Sequence, residues 1–239
     1  MGMTLRVVVA AAVLVTGAGL MGAGAQPAWA APCAGSSPAV GVASTPSGHG
    51  FYVVSQDGCI GTAGDAVNAG QPAGPLDRPV VGLAVDRATN GYWEVAGDGG
   101  VFGFGGAPFL GSTGGMRLNQ PIVGMAATPD AGGYWLVASD GGIFAFGDAR
   151  FAGSAGGKAL NAPVVGIAAS PDGGGYWLVA RDGGVLTFGD AGFRGSGAAP
   201  AGAQIAAPAV GIAATPTGAG YWVAFAVNTE VDAFGDAVE

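Results

Sequence analysis

Short apolar runs recur along the chain and are separated by glycine, proline and aspartate. In one stretch they are Val164–Ser170, Gly175–Ala180, Val185–Gly189 and Phe193–Ser196. They are rich in Val, Ile, Tyr, Trp and Phe, and such runs between turn-forming residues predict β-strands. The Asp-Gly and Gly-Gly sequences between them supply the positive φ that tight hairpins need. The pattern therefore predicts a four-stranded antiparallel meander.

The same pattern occurs five times. Nearly the same sequence begins at Pro79, Pro121 and Pro163, at intervals of 42 residues. The third copy starts PIVGMAATPDAGGYWLVASDGGIFAFGDARFAGS. Two more divergent copies flank these three. A period of this length is typical of propellers and other repeat architectures. The five repeats are 38–78, 79–120, 121–162, 163–207 and 208–239.

Each of these sheets would be apolar on both faces. Tyr176 and Trp177 are adjacent, and neighbours on a strand point to opposite faces of the sheet. Such a sheet is stable only when both faces are covered, and sheets packed radially around an axis cover one another. The predicted fold class is all-β: a five-bladed β-propeller of four-stranded antiparallel blades. Glycines in the first segment of each copy, such as Gly82 and Gly124, suit a crowded inner strand.

The two ends of the repeat array complement each other. The fifth copy lacks the Phe-x-Gly-Ser segment that the second, third and fourth copies carry, whereas residues 33–36 read Cys-Ala-Gly-Ser and match Phe151–Ser154 after the first position. We expect strand 33–36 to complete the last blade and close the ring, which would leave no exposed sheet edge. Cys33 would lie on this strand.

The chain has two cysteines, Cys33 and Cys59. An exported protein meets an oxidising compartment, so a disulfide between them would lock the seam of the ring. Sequence spacing alone does not establish the geometry that a disulfide needs, so two unpaired thiols are the alternative.

The first 30 residues have the pattern of a secretory signal peptide. Arg6 precedes an apolar run from Val7 to Ala25, and the small residues Ala28 and Ala30 follow. We expect cleavage after Ala30, which leaves a single domain at 31–239 and a secreted or cell-envelope-associated protein. A retained membrane anchor is the alternative. No later segment is long and apolar enough to cross a bilayer, so the mature chain is predicted to have no membrane span.

The charge composition limits the classes of partner that we expect. Sixteen acidic residues against eight basic ones give a net charge of −8, and no basic stripe suited to phosphates is present, so we expect no nucleic acid partner. The 49 glycines suggest low complexity, but Tyr and Trp recur at fixed intervals, as in a packed protein. We expect a monomer.

The strings YWLVASDGGIFAFGDARFAGS and GGKALNAPVVGIAASPDGGGYW resemble a repeat of secreted bacterial proteins, especially actinobacterial ones. The resemblance spans 38–239 and implies a β-propeller without implying an activity. The five-blade count is also similar to that of tachylectin-like lectins, which bind amino sugars between blades. That similarity is architectural, and a fold does not by itself determine function.

The repetition of the aspartates favours a role in turns over acid/base catalysis or calcium binding. One set occupies a Gly-Asp-Ala slot and the other a hairpin slot, and Asp side chains commonly bond nearby amides at turns. His49 is the only histidine, so a histidine metal cluster is excluded, and we expect no metal and no cofactor. The two sets are Asp65, Asp148, Asp190 and Asp236, and Asp57, Asp98, Asp140 and Asp182.

Glu94 stands apart because it replaces Leu136, Leu178 and Val223 within an apolar strand. An isolated buried carboxylate is costly. We therefore expect Glu94 to be exposed in the central channel, or paired with Arg78 or Arg117. It is the basis of the alternative function, a five-bladed glycoside hydrolase that uses Glu94 with a repeat aspartate.

The aromatic pairs are candidates for core packing or for stacking on sugars where blades meet. Repetition without a catalytic outlier favours a non-catalytic binding or scaffold module that recognises a cell-envelope glycan or a protein through inter-blade grooves. The candidate ligand-binding residues are Tyr92, Trp93, Tyr134, Trp135, Tyr176, Trp177, Tyr221, Trp222 and Glu94.

Overall fold

The computed structural model describes residues 37–198, 207–226 and 231–238. The predicted signal peptide, strand 33–36 and Cys33 lie outside the described residues. The described chain is all-β, with no helix. In these ranges no helix is long and apolar enough to span a bilayer.

Fifteen strands form five sheets, each a three-stranded antiparallel meander in sequence order. The middle strands of the second, third and fourth sheets are buried along their whole length, as expected for sheets covered on both faces. The strands are β1 Ala39–Ser44, β2 Phe51–Ser55, β3 Ile60–Ala63, β4 Val80–Val85, β5 Tyr92–Ala96, β6 Val101–Phe104, β7 Ile122–Ala127, β8 Gly133–Ala138, β9 Ile143–Gly147, β10 Val164–Ala169, β11 Gly175–Ala180, β12 Val185–Gly189, β13 Ala209–Ala214, β14 Tyr221–Phe225 and β15 Val231–Phe234.

Each first strand has the same irregularity. In the fourth sheet, Val164 pairs with Ala180 and Gly166 pairs with Val179, so Val165 forms a bulge. The other four sheets have the equivalent shift in register. A bulge bends a strand and increases its twist, and its recurrence gives the five sheets one shape.

In the second, third and fourth repeats the predicted fourth strand does not form a strand. Residues 107–113 run back beside the second sheet, where the amide of Thr113 donates to the carbonyl of Gly99 at 3.1 Å. Within the same segment, the amide of Leu110 donates to Tyr134 Oη, a side chain of the third sheet, at 3.2 Å. This segment therefore divides its hydrogen bonds between the second and third sheets.

The five sheets stack in sequence order. The first strands of consecutive sheets contact each other, from β1 through β4, β7 and β10 to β13, and four apolar clusters fill the spaces between sheets. The described parts of β1 and β13 share no contact of comparable extent. The described row is therefore not closed, and closure through residues 33–36 stays a prediction.

Candidate functional site

The adjacent aromatic residues of each middle strand join one sheet to the next. The ring of Trp93 packs against the ring of Tyr134 in the following sheet, with centroids 5.4 Å apart and an interplanar angle of 58°. Tilted aromatic pairs at this distance are favourable. The equivalent pairs are Tyr52–Tyr92 at 5.0 Å, Trp135–Tyr176 at 5.6 Å and Trp177–Tyr221 at 5.7 Å.

Seven of the eight candidate aromatic residues have no exposed surface. A ring that is covered on both faces offers nothing for a sugar to stack on unless the sheets separate. The eighth, Trp222, is only partly buried. The seven buried residues are Tyr92, Trp93, Tyr134, Trp135, Tyr176, Trp177 and Tyr221.

The tyrosine hydroxyls form a second link between sheets. Tyr134 Oη donates to the carbonyl of Gly111 at 2.6 Å while it accepts from the amide of Leu110. Tyr92, Tyr176 and Tyr221 bond the equivalent segments in the same way. Burial raises the pKa of Tyr92 to about 12. The sequence analysis missed this link, although part of its signal was present. In the third and fourth repeats the buried Tyr follows the Gly of the preceding Phe-x-Gly segment by 23 residues.

The indole groups bind the same segments from the other side. Trp93 Nε1 donates to the carbonyl of Pro108 at 2.7 Å. Trp135 and Trp177 donate to Arg150 and Gly192, both at 2.9 Å. The segments that leave the second, third and fourth sheets are therefore each held by the Trp of their own sheet and by the Tyr of the next.

Three phenylalanines lie between these two anchors and point outward. Phe109, Phe151 and Phe193 are 65, 62 and 60 % exposed. The residue before each accepts the indole bond, and the residue after each donates to the tyrosine hydroxyl. We call these three residues the phenylalanine row. It places one exposed apolar ring, on a backbone held at both sides, at each of three boundaries between sheets.

The hairpin aspartates have the predicted turn role, which the hydrogen bonds confirm. Asp98 and Asp140 each accept, through Oδ1, the amide of the residue two positions later at 2.9 Å. Asp57 and Asp182 do the same at 3.2 and 3.0 Å. Their oxygens therefore serve the β-turn between the second and third strands.

The Gly-Asp-Ala aspartates bind hydroxyl groups of the preceding hairpin. Thr45 Oγ1 donates to Asp65 Oδ1 at 2.8 Å, and Ser47 also donates to this carboxylate. The hydroxyls of Ser47 and Thr45 lower the pKa of Asp65. Thr215 bonds Asp236 in the same way at 2.8 Å. We call this contact between a hairpin hydroxyl and the Gly-Asp-Ala carboxylate the clip. Its sequence signal was the Thr or Ser before each hairpin proline, which the sequence analysis did not use.

In the fourth repeat this clip contains two carboxylates. Asp172 takes the place of Ser47, and Ser170 donates to Asp172 Oδ1 at 2.7 Å. The Ser170 hydroxyl lowers the pKa of Asp172, whereas burial and the neighbouring Asp172 raise the pKa of Asp190. The described residues hold no group of three or more His, Cys, Asp or Glu side chains that would suit a metal.

Glu94 lies in the middle of β5, and its carboxyl group reaches the β2–β3 turn of the first sheet. Its Oε2 atom is 3.1 Å from the position that a Cβ at Gly58 would take. The side chain is fully buried, and neither oxygen has a hydrogen-bond partner. Burial, and to a lesser extent the charge of Asp57, raises the pKa of Glu94 to about 8. The group is therefore mainly protonated at neutral pH.

The expectation that Glu94 is exposed in a channel or paired with Arg78 or Arg117 is wrong. Position 94 is the centre of a middle strand, where Leu136 and Leu178 are equally buried. The carboxyl group is accommodated there by keeping its proton, since the neutral form costs far less to bury than the charged form.

Two further predicted residues lie in the first repeat. His49 is exposed in the turn before β2, and its amide donates to Ser47 Oγ at 3.0 Å. Cys59 is buried, and no cysteine within the described ranges is free. Because Cys33 lies outside those ranges, the disulfide stays a prediction.

No protein-family model matches the chain, and no curated protein resembles it in sequence. Among solved structures, Raptor from Chaetomium thermophilum is similar in fold, with a TM-score of 0.54 and 12 % sequence identity. The similarity covers 83 % of this chain and 20 % of that chain, so this protein spans about a fifth of Raptor's length. At this identity the likeness concerns the fold alone.

Proposed function

We propose that the protein is a non-catalytic secreted binding or scaffold module that recognises a cell-envelope glycan or a protein partner at the boundaries between its sheets. The phenylalanine row carries this proposal. Large exposed apolar residues in a regular arrangement are typical of interaction surfaces, and aromatic residues often dominate binding energy. Here three of them occupy equivalent places along one repeat array.

The row suits binding because its members are held in place. Phe109 lies between Pro108, whose carbonyl accepts the indole bond of Trp93, and Leu110, whose amide donates to Tyr134. A side chain on a fixed backbone loses little conformational freedom when it binds a ligand. Three such sites on one molecule also permit multivalent binding to a repetitive polymer.

Retention on insoluble peptidoglycan and on a glycan array tests this function. We expect the wild type to be retained, and the triple variant Phe109→Ser, Phe151→Ser, Phe193→Ser to be lost from the bound fraction. Met116→Ser is the matched control, since Met116 is 60 % exposed but lies outside the row. Equal retention of the triple variant and the wild type would contradict the role of the row.

The result also separates the two classes of ligand. Retention on glycan that depends on the row identifies a glycan-binding module. If neither glycan retains the wild type, the remaining form of the proposal is a protein scaffold. Cross-linking of the secreted protein on intact cells, with the triple variant as reference, then tests that form.

We infer that the five sheets are blades of a β-propeller from the actinobacterial-type secreted repeat family, exported through residues 1–30. The stacking of first strands and the covered sheet faces support a blade arrangement. The sequence also predicts that strand 33–36 completes a fourth strand and closes the ring.

The alternative function is a glycoside hydrolase that uses Glu94. Its raised pKa is the one observation in favour, because a general acid must hold a proton near neutral pH. Against it, the carboxyl group is buried between two sheets without an exposed oxygen. Hydrolysis of chromogenic glycosides that disappears in Glu94→Gln would establish the enzyme, and silence across the panel would count against it.

A further inference from the structure

Two cavities lie at equivalent places in the second and third sheets, at the end that carries the turn between the second and third strands. Their volumes are about 250 Å³ beside the second sheet and about 140 Å³ beside the third. Each is lined by the Ala that ends the middle strand, the hairpin Asp, a Phe of the third strand and the two residues before the proline that begins the repeat. These residues are Ala96, Asp98, Phe102, Asp77 and Arg78 in the second repeat and its linker, and Ala138, Asp140, Phe144, Asn119 and Gln120 in the third.

The pairing of the strands confirms that the two phenylalanines are equivalent. Phe102 pairs with Glu94 and Phe144 pairs with Leu136, and each partner lies in the middle of its strand. Both rings are partly buried, so each packs partly on its sheet and contributes the rest of its surface to the cavity. One construction thus occurs in two consecutive repeats.

The hairpin aspartate gives each cavity a fixed hydrogen-bond acceptor. Oδ1 of Asp98 and Oδ1 of Asp140 each accept the amide of the residue two positions later at 2.9 Å. Among the described residues, no donor bonds the Oδ2 atom of either side chain. The turn therefore holds the carboxylate in place and leaves one oxygen for a ligand.

The residue before the proline adds a hydrogen-bond donor. Arg78 has donors alone, and the amide oxygen of Gln120 accepts from Ser139 Oγ at 3.4 Å, which leaves the NH₂ group of Gln120 for a ligand. A guanidinium group at this position disfavours a cationic ligand, although each cavity carries an aspartate. An acceptor, a donor and an aromatic surface together suit a neutral ring that carries hydroxyl groups.

The volumes limit the ligand to about one such ring. Pockets for drug-sized ligands commonly have about 300–1,000 Å³, so both cavities are smaller than that range. A pyranose ring has an apolar C–H face that packs on an aromatic ring, and adjacent hydroxyl groups that both donate and accept. Two cavities on consecutive repeats also permit one polymer to occupy both.

We propose that the two cavities are equivalent subsites for single hexopyranose units of a neutral polysaccharide with vicinal hydroxyl groups. In each, the aspartate accepts from adjacent hydroxyl groups, the residue before the proline donates to a hydroxyl oxygen, and the phenylalanine covers the C–H face. No residue of the phenylalanine row lines either cavity. The subsites are therefore distinct from the surface on which the proposed function rests and do not depend on it.

Affinity electrophoresis tests the subsites. The protein migrates through native gels that contain dextran or mannan, two neutral polysaccharides with free vicinal hydroxyl groups. We expect at least one of them to retard the wild type, and the double variant Asp98→Asn, Asp140→Asn to bind it about tenfold more weakly, because the charge-assisted bonds are lost. Asparagine still accepts the amide of the turn, so the hairpins keep their shape, which circular dichroism checks.

Asp182→Asn is the matched control. Asp182 makes the same turn bond at 3.0 Å, but its hairpin has a leucine in place of the phenylalanine, since Leu178 pairs with Leu186 as Leu136 pairs with Phe144. The gels should retard this variant as strongly as the wild type. Polysaccharide whose vicinal hydroxyl groups have been cleaved with periodate and reduced should retard none of the proteins.

The same gels separate the subsites from the phenylalanine row. The triple variant of the row should migrate like the wild type here, whatever its retention on peptidoglycan. A wild type that neither polysaccharide retards would overturn the proposal. Equal retardation of the wild type and the Asp98, Asp140 double variant, or equal retardation by the periodate-treated polysaccharide, would overturn it as well.

Discussion

Glu94 on β5 is paired in register with Leu83 on β4. Residues opposite each other in an antiparallel pair point to the same face, so the carboxyl group enters an apolar interface beside Leu83. In the next two sheets a leucine occupies the equivalent position. The cost of placing a carboxyl group there appears as a raised pKa, which makes stability depend on pH.

The free energy of unfolding should fall as the pH rises from 4.5 to about 8. The pKa of Glu94 is about 8 in the folded chain and about 4.5 when unperturbed, so the folded state holds the proton more tightly. Its contribution is full below pH 4.5, declines toward pH 8 and is constant above that. Urea unfolding of the wild type and Glu94→Gln across this range should show the decline in the wild type only. Parallel pH profiles would contradict it.

Glu94→Leu should stabilise the protein at neutral pH. The substitution restores the residue found at Leu136 and Leu178 and removes two buried oxygens that lack partners. We expect a gain of about 1–3 kcal/mol, the usual cost of an unsatisfied buried group. Urea unfolding measures it, with Leu178→Met as a volume-conserving control that should cost less than about 1.5 kcal/mol. A loss of stability would mean that Glu94 has a partner.

Gly111→Ala should destabilise the protein more than Gly115→Ala. Both glycines have positive φ, 137° and 83°, so both substitutions strain the backbone. A Cβ at Gly111 would also lie 2.3 Å from Phe146 Cδ1, whereas at Gly115 it meets nothing within 4 Å. The additional cost should be about 1–3 kcal/mol. Equal melting temperatures for the two variants would show that Phe146 moves aside freely.

Tyr134→Phe should cost about 1–3 kcal/mol, because it leaves the carbonyl of Gly111 and the amide of Leu110 without their shared partner. Tyr52→Phe is the control, since the Tyr52 hydroxyl makes one bond, to the carbonyl of Asn90 at 3.0 Å. We expect the control to cost about 0.5–1.5 kcal/mol. If the two variants unfold at the same urea concentration, the second hydrogen bond of the Tyr134 hydroxyl adds nothing to stability.

Thiol titration tests the predicted Cys33–Cys59 disulfide. Denatured, unreduced protein should contain no free thiol, and reduction should release two. Cys59 is buried, and loss of a disulfide usually costs about 2–5 kcal/mol in small secreted domains. Two thiols before reduction would exclude the disulfide.

The strands were predictable because their signals are local. The predicted runs Gly175–Ala180 and Val185–Gly189 coincide with β11 and β12. Each run has apolar residues for both faces and a glycine turn at its end, and the repetition of this pattern in every copy makes it more specific.

The fourth segment was not predictable in the same way. Residues such as Phe109–Ser112 have a composition that suits a strand, yet their hydrogen bonds depend on Tyr134 of another sheet. No local pattern shows that a hydroxyl group from the next repeat competes with strand pairing. The burial of Glu94 was missed for a related reason, since the sequence shows the charge but not the proton that neutralises it.

The hydroxyl of Tyr134 fastens the chain leaving the second sheet onto the third, and the same fastening recurs at each later junction. Each of these repeats thus brings its own connector to its neighbour. Duplication or deletion of a whole unit in the gene would preserve every junction, whereas a short insertion before the connector would disturb one. Arrays of this kind are expected to evolve by changes in unit number.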